Sequence, residues 1–92
     1  MIERQIEVLE LRLTRRQIEV LRLLPNHSRK EIARELGVKL GTINWWLSNH
    51  PDGIYGKLRV DNRVQAVMEG IRLEIIDLES IEFPEMERFP WE

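Results

Sequence analysis

Two helix-start signals constrain this chain more than any other feature. Thr14-Arg15-Arg16-Gln17 and Ser28-Arg29-Lys30-Glu31 each place a hydroxyl residue three positions ahead of a side chain that can reach back to its backbone amide. That is the reciprocal arrangement of a capping box, in which each residue's side chain accepts from the other's otherwise orphaned amide. Pro25 lies between the two boxes, lacks the amide that a continuing helix needs, and stops the first helix near Leu24. Gly37 stands where a left-handed residue would close the second helix after Leu36. Two short consecutive helices follow, over 15–24 and 29–36. Ile18, Leu21 and Leu24 supply the inner face of one, and Ile32, Ala33 and Leu36 that of the other.

Helical periodicity extends in both directions. Ile2, Ile6, Leu9 and Leu13 recur at three- and four-residue steps, which predicts a first helix over residues 2–12. A further helix is expected over Leu40–Asn49, with Ile43, Trp46 and Leu47 inward, until His-Pro-Asp-Gly (50–53) breaks it. Ile54, Leu58 and Val60 add core contacts. Asp61 or Asn62 then starts a long final helix reaching about Leu78, with Val64, Val67, Met68, Ile71 and Ile75 on its buried side. The tail holds Phe83, Phe89, Trp91 and two prolines, and is expected to be irregular. The six letters RQIEVL occur at Arg4 and again at Arg16. Only two copies exist, their flanks differ, and the spacing is far below that of helical-repeat folds, so they do not predict an array. The fold expected is all-α, a small helical bundle containing a helix-turn-helix with an extra N-terminal helix. Residues 1–12 form the extension, 13–78 the domain and 79–92 an acidic, aromatic-containing tail.

Charge is distributed unevenly. The net formal charge is −2. Residues 12–66 carry eleven Lys and Arg against five Asp and Glu, whereas 67–92 carry two arginines against eight acids. A basic middle is thus flanked by acidic ends, which is the electrostatic pattern that matters for an anionic partner. The chain has no cysteine, which excludes disulfides and thiolate metal sites and fits a reducing cytoplasm. No stretch is long and apolar enough for a membrane span or a secretory signal, so a soluble cytoplasmic protein is expected. His27 and His50 lie in loops without a coherent partner set, and no glycine-rich phosphate loop or metal-ligand spacing occurs. Neither catalysis nor a cofactor is expected.

Two short helices joined by a tight turn, with a basic exterior, form the helix-turn-helix pattern. The residues go further than the pattern. Leu13-Thr14 with Glu19-Val20-Leu21, then Lys30-Glu31-Ile32-Ala33 with Leu36-Gly37-Val38, then Thr42-Ile43, then Ile54, Lys57-Leu58, Val60, Asn62-Arg63 and Ala66-Val67 follow in that order. This succession resembles the LuxR/GerE class of bacterial DNA-binding domains from Leu13 to about Ile75, and is related in pattern to sigma-factor region four. Two departures stand out. Trp46 occupies a position where the family usually has histidine, and His50–Gly53 interposes about four residues after the recognition helix.

The resemblance implies sequence-specific binding to double-stranded DNA by a small transcriptional regulator. A recognition helix reads base edges from the major groove with its outward residues. With Ile43, Trp46 and Leu47 inward, the base-reading candidates are Lys39, Asn44, Trp45 and Ser48. Candidate phosphate contacts are Arg15, Arg16, Arg29, Lys30, Arg34, Thr42, Lys57 and Arg63, which would set affinity rather than sequence choice. The family pairs through its last helix, which implies a homodimer seam at Val64, Val67, Met68, Ile71 and Ile75. A second reading stays open: a protein-interaction module on a helix-turn-helix scaffold, binding RNA polymerase or another regulator. Net acidity, Gly41 inside the recognition helix, Trp45 and the His50–Gly53 insertion favour it.

Overall fold

The structure, a computed structural model, describes residues 2–81, with side chains from Ile6 onward. Six helices follow one another: α1 (Ile2–Leu11), α2 (Arg15–Leu23), α3 (Arg29–Leu36), α4 (Leu40–Trp46), α5 (Ile54–Leu58) and α6 (Arg63–Arg72). A single 3₁₀ turn, Leu78–Ser80, comes after them, and no strand occurs among the described residues. The fold is therefore all-α. No helix among these residues is long and apolar enough to cross a membrane.

Both capping boxes form. Thr14 Oγ1 accepts from the Gln17 amide at 3.1 Å while Gln17 Oε1 accepts from the Thr14 amide at 3.0 Å. Ser28 and Glu31 repeat the exchange at 3.2 and 2.8 Å. Gly37 closes α3 at φ 67°, and the Val38 amide returns to Ala33 O at 3.0 Å. Left-handed closure is least strained in a residue without a Cβ, which is why glycine is common there. These local signals act as the sequence predicts.

The core gathers Val20 and Leu21 of α2 with Leu24 just after it, Ile32 and Ala33 of α3, Ile43 of α4 with Leu47 just after it, Ile54, Tyr55 and Leu58 of α5, and Ala66 and Val67 of α6. Trp46 is half-buried and packs against this core. The segment 54–60, expected only to supply apolar contacts, contains the short helix α5, closed by Arg59 in the left-handed region at φ 57°.

Three expectations are corrected. The helix expected over Leu40–Asn49, α4, ends at Trp46, because Leu47 leaves helical geometry and the chain turns through 48–53. The final helix ends at Arg72 rather than near Leu78. Glu74 takes φ 61°, its amide bonds Ile71 O at 3.0 Å, and the Ile75 amide bonds Gly70 O at 2.9 Å. That pair of bonds is a Schellman motif, here built without the usual glycine. The third correction concerns the inner face of α6. Ala66, Val67 and Gly70 are buried, whereas Val64 and Met68 are exposed, at 48% and 64%. Ile75 is buried as expected, but from the returning loop and not from the helix.

That loop is held by α2 and its C-terminal turn. Arg22 Nε donates to Ile75 O at 3.3 Å, and Asn26 Nδ2 to Ser80 O at 2.8 Å. Ile76 lies so near α6 that a Cβ on Gly70 would come within 2.6 Å of it. On another side, Arg72 of α6 reaches Glu7 of α1 at 2.8 Å and also pairs with Glu69. Both carboxylates raise the guanidinium pKa, Glu7 most. The tail expected to be irregular lies, beyond Ile81, outside the described residues, as do Phe83, Phe89 and Trp91.

Candidate nucleic-acid interface

α3 and α4 pack on one another across the turn Gly37-Val38-Lys39. Ile43 and Leu47 anchor α4 inward, with side chains fully or almost fully buried. The four-residue offset between them fixes the rotation of the helix. Asn44 and Trp45 consequently face out, beside Lys39 and Gly41. Trp45 is 50% exposed, and Ser48 and Thr42 are half-buried. Lys39 is the residue before α4 and makes no side-chain cap to it.

The basic candidates divide into two groups. Arg15, Arg16, Lys30 and Arg34 are exposed, with Arg16 lightly tied to Glu19 at 3.2 Å. The remaining three are engaged within the protein. Lys57 Nζ donates to Arg12 O and to Gln17 Oε1, both at 2.8 Å, and so joins α5 to the α1–α2 junction. Arg63 is half-buried and its Nη2 approaches His27 O at 3.4 Å. Burial lowers its pKa, opposed by Tyr55 and reinforced by the nearby positive charge of Arg29. Arg29 itself is half-buried and donates from Nη1 to Asn44 Oδ1 at 2.8 Å.

The His50–Gly53 insertion forms a tight turn under the end of α4. The Gly53 amide bonds His50 O at 2.7 Å, and the Gly56 amide bonds Ser48 O at 3.3 Å. Both glycines are sterically required: a Cβ on Gly53 would sit 2.5 Å from Ser48 O, and one on Gly56 2.0 Å from His50 O. His50 Nδ1 accepts from the Asp52 amide at 3.1 Å, which assigns the ring proton to Nε2. The imidazole lies against Trp45, with ring centroids 4.7 Å apart and planes tilted by 48°. The insertion therefore braces the exposed indole from below.

One residue essential to this arrangement is absent from the sequence-based site. Gln17 is 3% exposed and is the only buried polar side chain among the described residues. Its Oε1 takes the Thr14 amide and the Lys57 ammonium, and its Nε2 donates to Asp52 O at 2.7 Å. It thereby ties the start of α2 to α5 and to the insertion. The capping box marks Gln17 in the sequence as a helix start, but nothing there points to Asp52, thirty-five residues away. No grouping of side chains suited to a metal ion occurs among the described residues.

The family model for GerE, described as bacterial regulatory proteins of the luxR family, matches residues 11–69. No curated protein and no solved structure matches the chain. The matched segment runs from the end of α1 to the last turn but one of α6, and contains both capping boxes, α4 and the insertion.

Proposed function

The chain belongs to the luxR family of bacterial regulatory proteins, and from that premise we propose that it binds double-stranded DNA sequence-specifically as a small transcriptional regulator. The observation that carries the reading is the exposed outer face of α4, held in fixed rotation by Ile43 and Leu47 within a helix-turn-helix. α4 enters the major groove, where Asn44, Trp45, Ser48 and Lys39 meet base edges. Asn44 and Ser48 offer hydrogen bonds, and Trp45 offers an apolar surface suited to thymine methyl groups. Arg15, Arg16, Lys30 and Arg34, exposed on α2 and α3, contact phosphates together with Thr42. Lys57 and Arg63 contribute less to that contact, since their donors already serve the fold.

The protein acts in this reading as a homodimer in the cytoplasm. Val64 and Met68 lie four residues apart on α6, are exposed, and form the part of the seam available to a partner. Val67 and Ile75 support that seam from within the core, and Ile71 lies between.

Selection from a randomised duplex pool at several salt concentrations tests the proposal. Enrichment of a two-fold symmetric site is expected, weakened by Asn44→Ala or Ser48→Ala at particular base positions. Lys30→Ala should weaken all sequences alike and reduce the salt slope by about one. Absence of binding even at low salt refutes it. The braced, half-exposed Trp45 favours a second reading, a contact with RNA polymerase or another regulator. In that case Trp45→Ala abolishes partner binding while no duplex is selected.

A further inference from the structure

We infer that Arg29 determines which base Asn44 reads, by holding the Asn44 amide with its oxygen inward and its NH₂ outward. The inference rests on the DNA-binding reading above and sharpens it to a base identity. Arg29 Nη1 lies 2.8 Å from Asn44 Oδ1. A guanidinium offers donors only, so the end of the amide that faces it is the oxygen. The reverse orientation would set donor against donor. The bond is tertiary: Arg29 begins α3, Asn44 lies in α4, and the two helices pack together. Arg29 is half-buried whereas Asn44 is exposed, so the donor is braced and the amide is presented. Among the described residues Arg29 has no carboxylate partner to draw it away.

The chemistry of the groove turns this orientation into a preference. A free asparagine reads adenine with both ends, its oxygen accepting from N6 and its NH₂ donating to N7. With Oδ1 turned inward onto Arg29, the end that Asn44 presents to the groove is its NH₂ donor. Guanine matches a donor best, with acceptors at both O6 and N7; adenine and thymine each offer one, N7 and O4, adenine's beside its own N6 donor, and cytosine presents only its N4 donor. Asn44 therefore selects guanine over adenine, and Arg29 is a positioning residue for that choice.

The test is selection and sequencing of bound duplexes with the full chain, in the wild type, Asn44→Ala, Arg29→Met and Arg29→Lys. The position that loses its preference in Asn44→Ala is the one that Asn44 reads. Guanine is expected over adenine there in the wild type by about five- to tenfold, the lower range for one side chain. In Arg29→Met, which keeps the apolar stem, that position shifts toward adenine or becomes degenerate, while the others hold. Circular dichroism confirms that this variant is folded, and the wild-type base identity is informative without it. Adenine at that position in the wild type overturns the inference. So does a phosphate-clamp pattern, in which Arg29→Met weakens every sequence equally and Arg29→Lys restores binding with no change of base. A wild type that selects no sequence overturns the DNA-reading proposal as well, which separates the two failures.

Discussion

Replacing Gln17 by alanine should destabilise the protein far more than replacing the helix-start glutamine of α6. Gln17 and Gln65 each occupy the third position of a helix and each take a backbone amide at the cap, from Thr14 at 3.0 Å and Asp61 at 2.8 Å. Gln65 is exposed and has no other side-chain bond, so Gln65→Ala should cost about 0.5 kcal/mol. Gln17 is buried and makes two further bonds, to Lys57 Nζ and Asp52 O. A neutral hydrogen bond contributes roughly 1 kcal/mol and one to a charged group roughly 1.5–3. Lys57 is half-buried and keeps Arg12 O as an acceptor, so the lower figure applies to it. Gln17→Ala should then cost about 3–4 kcal/mol. For a chain of this length that corresponds to a fall in Tm of at least about 12 °C, against under about 4 °C for Gln65→Ala. Thermal and urea unfolding followed by circular dichroism would measure both. Equal losses for the two variants would refute the reasoning: Gln17 would then be a cap alone, and the insertion would be held by its own turn.

The glycines in and after α4 should separate in sign. Gly56→Ala forces a Cβ to within 2.0 Å of His50 O, a backbone atom, and should cost more than about 2 kcal/mol. Gly41→Ala meets nothing within 4 Å on an exposed helical position and should stabilise by about 0.5–1 kcal/mol, both read by urea unfolding. Val64→Glu and Met68→Glu, on the exposed face of α6, should leave monomer stability within about 0.5 kcal/mol while reducing dimer in sedimentation. Unchanged association would exclude α6 as the seam. The Ser28 amide, and next its hydroxyl, hold the Glu31 carboxyl below the ordinary glutamate range. A depressed pKa means stability present above the unfolded value and lost as pH falls through the folded one. Glu31→Gln should therefore flatten the acid limb of the stability–pH curve, and an unaltered limb would contradict this.

The sequence alone determined the local punctuation and, through it, the fold class. Thr14, Ser28, Pro25 and Gly37 act within a turn or two of themselves, so their effect is readable without knowing what they pack against. The order of motifs determined the family for the same reason, and placed Asn44 and Trp45 on the outer face of α4. Non-glycine closures escaped that reading: Arg59 and Glu74 take left-handed geometry because the chain beyond them is drawn into the core, and nothing in either side chain asks for it. The partners of Gln17, Lys57 and Arg29 were likewise decided by helix packing, across 15 to 45 residues of chain. The repeated RQIEVL makes the division plain. Leu9, in the first copy, is 76% exposed, whereas Leu21, in the second, is fully buried near Gly70 of α6. Periodicity prescribes which residues share a helical face; only the elements that arrive from elsewhere in the chain decide whether that face is covered.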